Sequence, residues 1–504
     1  MTKGKLCISI CARSAEELID EISRAVTLAD MIEVRFDCLD PSEIGEAIDR
    51  LDHNWKLNSE RLLATFRTPD QGGCRDISEK ERSEFWLSGN ERPFWGADLE
   101  EDIREGLFGS RWRNRIVSFH DHLGDQIEVG KVYDRLSRSG ASVIKIATTA
   151  NRITDAIPLW RLLERAKSDN TSLIPIAMGE PGKWTRILGL AHGAYMTYAS
   201  LSEGGETAPG QLTAEDLLEV YKIKELSPKT EVYGVIAGDT SYSMSPYIQN
   251  AAFRSAGMNR VFVPLQVEDV GEFIKLMVRN DTREVNLNFR GFAVTNPHKQ
   301  AIIEHLDTID DTAQAIGAVN TVTIEGGRLF GTNTDADGFI KPLEESFGDL
   351  RDASVAVIGA GGAARACIYA LKRAGAEVSI LVRDLSKAKP LADEFKLECL
   401  SLSDDAIRSD FEILVNATPL GTLGALENET PMRAKGLKGV KLVYDMTYNP
   451  RESRLLREAR ESGCETLDGL EMLLAQGAVQ FEIWTGKPPD LDAMRAAAIK
   501  KLTR

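Results

Sequence analysis

A lysine in the middle of an apolar strand is the first residue in this chain that calls for a chemical explanation. Lys145 sits in Ser142-Val143-Ile144-Lys145-Ile146-Ala147, a run that reads as a strand buried on both faces, where an ammonium group is costly. Alternation places it on the face of Val143 and Ala147. In Met31-Ile32-Glu33-Val34-Arg35-Phe36-Asp37, likewise, Glu33, Arg35 and Asp37 share one face while Ile32, Val34 and Phe36 share the other. Arg67 and His120 close the apolar runs Leu62 to Phe66 and Arg115 to Phe119. A buried lysine has its charged form disfavoured, so a neutral amine can attack a ketone and form a Schiff base, with His120 as general base beside it. Glu33, Arg35 and Arg67 complete the group, and three cations near one mouth imply an anionic, oxygen-rich substrate. Taken singly, Lys145 reads as well as a snorkelling lysine and His120 as a satisfied core histidine. Five such residues on strand ends argue against that.

The elements that must position them follow from the pattern. Strand-like runs at 6–11, 31–37, 62–67, 94–100, 115–120, 142–148, 172–178 and 194–200 alternate with helix-like stretches such as 14–29, 126–138, 151–167 and 213–225. That alternation predicts a parallel (β/α)8 barrel over 1–222, with chemistry at strand C-termini. Residues 223–231, polar and carrying Pro228, read as a linker. The second half is again α/β and divides into two lobes, one from 232–338 and 468–504, the other a Rossmann lobe over 339–467. In the latter, Val355 to Ile358 leads into Gly359-Ala360-Gly361-Gly362-Ala363 and then a helix. This is a dinucleotide fingerprint, in which glycines admit the pyrophosphate and the helix N-terminus stabilises its charge. At the end of the next strand Arg383 stands where an NADP site places a cation for the 2′-phosphate, and Lys387 adds charge a turn later. Asp384, directly adjacent, would instead favour a ribose if the strand ended one residue differently. Lys299 and Asp335, each closing a polar loop, read either as surface charges or as a pair that passes a proton to a carbonyl receiving hydride.

Composition bounds the rest. A chain of 504 residues predicts roughly two to four domains. A net charge of -16 disfavours nucleic acid and anionic membrane as partners. Apolar runs are too short for a membrane span, and no signal or transit peptide is visible. Seven scattered cysteines suit a reducing cytoplasm better than a disulfide framework, and Cys7 with Cys11 lacks a second ligand pair for zinc. No metal is expected. Oligomeric state is left open.

Residues 1–222 resemble type I 3-dehydroquinate dehydratases. The matches are Glu33 to Asp37, Thr65-Phe66-Arg67, Asp98-Leu99-Glu100, Ser118 to Asp121, Lys145-Ile146-Ala147, Met178-Gly179 with Arg186, and Ala208-Pro209-Gly210-Gln211. The resemblance implies that Lys145 forms an imine with the C3 ketone and that His120 removes a C2 proton, with Glu33 supporting the base. It places Arg186, Gln211, Arg35, Arg67, Ser9 and Thr207 on the substrate, Thr207 standing where the family commonly has serine. Residues 230–504 are similar to shikimate dehydrogenases through Ser243-Met244-Ser245-Pro246, Thr295 to Lys299, Gly317 to Thr321, Gly331 to Asp335, Asn416 to Pro419, Asp445 to Pro450, and Asp468 to Leu473 with Gln476. By that resemblance Lys299 and Asp335 are catalytic. Ser243, Ser245, Thr295, Asn320, Tyr448 and Gln476 hold shikimate, and Thr418, Met446 and Gly469 join Gly359 to Ala363 and Arg383 at NADP. Tyr242, Gln249, Ala293, Val382 and Thr422 depart from the usual pattern without touching the catalytic pair.

The product of the first reaction is the substrate of the second, so the expectation is one chain performing two consecutive steps of the shikimate pathway, the second with NADPH. The rival readings are a catabolic quinate or shikimate dehydrogenase using NAD, and a metabolite-sensing regulator that has lost catalysis. The regulator would be expected to lack a catalytic lysine or histidine, and none is missing here.

Overall fold

The computed structural model describes residues 4–54, 60–87, 94–101, 112, 114–124, 127–402 and 411–503. Eight parallel strands form the first half: β1 (Lys5–Ile10), β2 (Met31–Arg35), β3 (Leu62–Thr65), β4 (Gly96–Glu100), β5 (Arg115–Asp121), β6 (Val143–Thr149), β7 (Leu173–Met178) and β8 (Met196–Ser200). They pair in chain order from β1 to β7, and β8 pairs with β1. At the remaining gap the Tyr195 N–H, just before β8, donates to the Leu173 carbonyl of β7 at 2.8 Å. A ninth strand, β9 (Leu212–Thr213), pairs in parallel with the end of β8.

Period-two alternation builds the barrel interior in layers. Cys7, Met31, Leu63, Ile116, Val143, Ile174 and Met196 belong to one buried apolar cluster. Two residues further along the same strands stand Ser9, Glu33, Thr65, Ser118, Lys145, Ile176 and Tyr198, and register pairs Ser9 with Glu33 and Ser118 with Lys145. An apolar floor thus supports a polar layer.

Helices Ala15–Ala25, Val129–Leu136 and Ile157–Ser168 occupy three of the expected stretches, with residue 126 outside the described residues. Ser14 caps the first by accepting the Glu17 N–H. The stretch expected to be helical over 213–225 begins with the end of β9 and is helical over 214–220, as a π-helix from Asp216 to Val220. Thr213 Oγ1 there accepts the Asp216 N–H, which ends the strand and starts the helix.

The second half carries two six-stranded sheets. One contains β10 (Glu231–Ala237), β11 (Arg260–Gln266), β12 (Phe289–Val294), β13 (Thr308–Ile309), β14 (Thr321–Glu325) and β15 (Arg328–Thr332), in the order β11-β10-β12-β14-β15-β13. The other contains β16 (Ser354–Ile358), β17 (Glu377–Val382), β18 (Glu398–Ser401), β19 (Ile413–Asn416), β20 (Leu442–Asp445) and β21 (Glu465–Leu467). Its order is β18-β17-β16-β19-β20-β21, the doubly wound arrangement whose switch point lies between β16 and β19.

The chain packs as two compact units, residues 1–232 with 239–242 and 263–289, and residues 233–238, 243–262 and 290–504. Residues 263–289 belong to the first unit, while their first four residues complete β11 beside β10. Within that unit Glu272 accepts hydrogen bonds from Arg152 at 2.9 Å and Thr154 at 3.2 Å, and Arg161 pairs with Glu284 at 3.1 Å.

The expectation of reduced cysteines needs correction. Cys11 and Cys38 form a disulfide, because β1 and β2 are adjacent and parallel and each cysteine lies just beyond its strand. Cys7, Cys74, Cys367, Cys399 and Cys464 are free. No helix among the described residues is long and apolar enough to cross a membrane.

Candidate active sites

A cavity of about 440 Å³ opens in the barrel, and Ser9, Glu33, Arg35, Arg67, His120 and Lys145 all line it. Arg186, Thr207 and Gln211 line it too, so strand ends far apart in sequence converge on one space. Lys145 is buried, as its apolar strand dictates, but it is not isolated: Nζ lies 2.9 Å from Asp98 Oδ2, 3.8 Å from Glu33 Oε1 and 4.3 Å from the Tyr198 ring centroid. Asp98 Oδ2 also accepts from Arg67 at 2.7 Å. Burial pushes the Asp98 carboxyl up, but Arg67 and Lys145 outweigh it and hold the group well below the usual carboxylate range. Asp98 is the residue that reading strand by strand undervalued. It closes no apolar run, and only the barrel brings β4 within reach of β3 and β6.

His120 lies at the far end of β5, with Arg67 Nη1 2.6 Å from each of its ring nitrogens. Burial, then Arg67 and Lys145, push its pKa well below the ordinary histidine value, so the ring is neutral at physiological pH. Gln71, another residue missed in sequence because it follows the strand in a loop, accepts the His120 N–H at 3.1 Å. Glu33, expected to support His120, accepts from Ser9 Oγ at 2.5 Å and Thr65 Oγ1 at 2.9 Å and lies 4.0 Å from Arg67. It bears on the histidine through that arginine. Arg35 is clamped by Asp37 through two hydrogen bonds of 2.9 and 2.6 Å and donates to the Gly72 carbonyl at 2.9 Å.

The loops after β7 and β8 supply the cavity's other wall. The Gly179 N–H donates to the Pro209 carbonyl at 3.0 Å, and a Cβ on Gly210 would stand 2.3 Å from the Gly179 carbonyl oxygen. Gly210 also has φ of +71°, so glycine is required for that crossing. Gln211 Oε1 accepts from the Thr207 N–H at 2.7 Å and Oγ1 at 3.2 Å, which aims its amide NH2 away from them. Arg186 is buried, meets the Pro209 carbonyl at 3.4 Å through Nη2, and has no protein partner for Nε. Burial pulls its pKa down to about 10.

A second constellation forms in the other half. Lys299 Nζ lies 2.5 Å from Asp335 Oδ2, and Asn320 Nδ2 donates to Asp335 Oδ1 at 2.7 Å. Asp335 opens the helix Asp335–Phe347, and Asn320 accepts the Thr334 N–H at 2.8 Å, tying the β14 entry to that helix start. Gln476, on the helix Gly469–Thr485, packs so closely on Gly338 that a Cβ there would meet Gln476 Cβ at 2.5 Å. Ser243 lies between β10 and the helix Ser245–Ser255, which Ser245 opens, with the Ser245 N–H 3.4 Å from Ser243 Oγ. Thr295 follows β12 and Tyr448 follows β20.

Gly359 to Ala363 join β16 to the helix Gly362–Arg373, whose N-terminus has no side-chain cap. Gly359 has φ of +114°, Thr418 Cγ2 would meet a Cβ there at 3.1 Å, and a Cβ on Gly361 would meet nothing within 4 Å. An uncapped helix start beside open backbone fits a pyrophosphate. Gly362 contacts the Lys299 stem, since a Cβ there would stand 3.2 Å from Lys299 Cδ. Gly469 approaches Met446 so nearly that a Cβ would stand 2.1 Å from its carbonyl oxygen. Arg383 is exposed just beyond β17. Asp384 is committed elsewhere: its Oδ1 accepts from the Ser386 N–H at 3.0 Å, Ser386 Oγ at 2.6 Å and the Lys387 N–H at 3.3 Å.

Family models match the chain in four consecutive segments. The family model for type I 3-dehydroquinase matches residues 6–228. Models for the shikimate dehydrogenase substrate binding domain, shikimate / quinate 5-dehydrogenase and the shikimate 5'-dehydrogenase C-terminal domain match 235–322, 342–452 and 469–499. A bifunctional 3-dehydroquinate dehydratase/shikimate dehydrogenase, chloroplastic, of Arabidopsis thaliana is 35% identical over 96% of this chain and 82% of its own length. A shikimate dehydrogenase (NADP(+)) of Methanocaldococcus jannaschii is 38% identical over 55% of this chain and 100% of its own. A crystal structure of a shikimate dehydrogenase in complex with NADP+ superposes with a TM-score of 0.51 at 38% identity, covering 55% of this chain and 98% of that one. With both halves matched in order on one polypeptide, the chain belongs to the family of bifunctional 3-dehydroquinate dehydratase/shikimate dehydrogenases.

Proposed function

We propose that the barrel dehydrates 3-dehydroquinate to 3-dehydroshikimate through an imine on Lys145, and that the second half reduces this product to shikimate with NADPH. The observation that carries the first reaction is the buried Arg186, with Nε unpartnered, facing the same cavity as Lys145 and His120. A buried cation without a counter-ion is costly, and a substrate carboxylate is the partner that offsets it bidentately. With Arg186 and the Gln211 amide on the substrate, Lys145 attacks the C3 ketone and water leaves as the imine forms. Neutral His120 then takes the C2 proton and returns a proton to the departing C1 hydroxyl, and water hydrolyses the imine to free 3-dehydroshikimate and restore the Lys145 amine. Its contact with Arg67 has to open for a ring nitrogen to accept. Glu33, Arg35, Ser9 and Thr207 bind and orient around this pair.

In the second half, bound NADPH supplies the hydride. Lys299 and Asp335, 2.5 Å apart, hold and deliver the proton for the carbonyl oxygen, with Asn320 fixing the carboxylate. Ser243, Ser245, Thr295, Tyr448 and Gln476 bind the hydroxyls and carboxylate of shikimate. Gly359, Ala360, Gly361, Gly362 and Ala363 would hold the pyrophosphate, with Thr418, Met446 and Gly469 also at the cofactor. Arg383 and Lys387 receive the 2′-phosphate, a reading supported by the engagement of Asp384 in capping its own helix. No metal enters either reaction. We place the activity in the cytoplasm, with small metabolites rather than nucleic acid or membrane as partners.

The deciding experiment supplies 3-dehydroquinate and NADPH to the purified chain and looks for shikimate. Borohydride added with 3-dehydroquinate should trap substrate covalently on Lys145, and Lys145→Ala should abolish dehydration while dehydroshikimate reduction continues. Trapping at another lysine would refute the imine assignment.

A further inference from the structure

Three cysteines meet where three successive strand ends come together. Cys11 lies just beyond β1, Cys38 just beyond β2, and Cys74 in the loop after β3. The sulfurs of Cys11 and Cys38 are bonded, and Cys74 Sγ lies 2.6 Å from Cys38 Sγ and 3.3 Å from Cys11 Sγ. Among the described residues the cluster consists of these three alone. The arrangement is that of sulfurs placed to bond one another, with Cys38 in reach of both partners. Cys11 and Cys74 are exposed, so a small thiol has access.

We propose that Cys11, Cys38 and Cys74 form a thiol–disulfide exchange site on the rim of the dehydratase cavity, in which Cys38 is bonded in turn to Cys11 and to Cys74. In the exchange, Cys74 loses its proton and its thiolate attacks Cys38 Sγ. The Cys38–Cys74 bond forms, the Cys11–Cys38 bond breaks, and the departing Cys11 sulfur takes up a proton, with no net oxidation. A dithiol reductant opens either linkage by giving two electrons and two protons to the pair and becoming a disulfide itself. Disulfides in reducing compartments serve in this labile role rather than as permanent staples. The site reaches the cavity through Asp37. That carboxylate precedes Cys38 in sequence, accepts the Cys74 N–H at 3.0 Å and clamps Arg35, while Arg35 also bonds Gly72, two residues before Cys74. Which sulfur Cys38 holds therefore bears on how Arg35 is presented. Only this last consequence rests on the dehydratase reading.

The test equilibrates the full-length chain in mixtures of reduced and oxidised glutathione, blocks free thiols by rapid alkylation and maps disulfides by peptide mass. Both Cys11–Cys38 and Cys38–Cys74 linkages should be found in the wild type. Cys11→Ser should form Cys38–Cys74, Cys74→Ser should retain Cys11–Cys38, and dithiothreitol should free all three. Oxidised Cys11→Ser with Cys38 and Cys74 both fully alkylated would overturn the proposal, as would one equivalent of zinc retained through dialysis. The two locked linkages should differ in KM for 3-dehydroquinate by at least about twofold, with dehydroshikimate reduction unchanged. Equal KM values would overturn the link to Arg35. Absence of dehydration in the wild type would sink the reaction assignment, and the linkage map would still decide the exchange site.

Discussion

Arg186 illustrates how a single residue can be costly to the fold and necessary to the reaction. Its guanidinium is buried with Nε unpartnered and its pKa pulled down to about 10. Arg186→Met is expected to raise the thermal stability of the unliganded chain while lowering dehydratase kcat/KM on the order of 10²-fold, since losing one partner of a buried charged contact costs about 2–5 kcal/mol. Melting curves with steady-state kinetics check both signs, and a variant both less stable and fully active would return Arg186 to a structural role. His120 makes the second prediction. Because burial and its cationic neighbours depress its pKa, the ring stays a base as pH falls through the ordinary histidine value, and dehydratase kcat/KM should remain on its plateau below pH about 6.5. His120→Ala should slow turnover by about 10²-fold or more. The linkage to stability has a definite sign. The unfolded chain binds a proton near pH 6.5 that the folded site refuses, so the contribution is full above that value and lost as pH falls below it toward the depressed folded pKa.

Among the elements, the β17-to-helix junction separates two acidic and basic neighbours by function. Asp384 caps the helix Leu385–Phe395, whereas Arg383 points its charge into solvent beyond the strand. Arg383→Ala should erode the preference for NADPH with little effect on NADH, and a wild-type preference for NADH would refute the assignment. Asp384→Ala should instead cost about 1 kcal/mol of stability through the lost cap and leave the NADPH to NADH ratio of kcat/KM nearly unchanged. Kinetics with both cofactors in the two variants distinguish these outcomes. The loop crossing at Gly179 and Gly210 acts in the same way for the barrel, since it sets where Arg186 and Gln211 stand before any substrate arrives.

Across the whole molecule the two constellations lie in separate compact units, so Lys299→Ala or Asp335→Asn should cripple the reductase and spare the dehydratase. Loss of both activities without unfolding would contradict that partition. Halves divided within 223–231 should each keep their own reaction. The first half then loses the packing of residues 263–289 together with the bonds from Arg152 and Arg161 to Glu272 and Glu284, so it should be less stable than in the intact chain while keeping its reaction. Denaturant titration of halves and intact chain, with separate assays, tests this. Tethering by itself raises local concentration without directing transfer, and equal lags before shikimate appears are expected for the intact chain and an equimolar mixture.

The sequence by itself determined the strands, the polar faces and the glycine fingerprint, because period-two alternation and turn chemistry are local properties. Lys145, Glu33 and His120 could be singled out for that reason: a charge in an apolar run stands out without any knowledge of its neighbours. What only the tertiary structure decided is which charges meet. Closing the strands in order put Asp98 of β4 against Lys145 of β6 and Arg67 beyond β3, and brought Glu33 within 3.8 Å of the lysine. The same closure joined Cys11 to Cys38 and brought Cys74 to them, a cluster whose members are separated by 27 and 36 residues and share no local pattern. Contacts of this kind depend on strand order and loop approach, which are set by packing across the whole barrel rather than by any segment's own preferences.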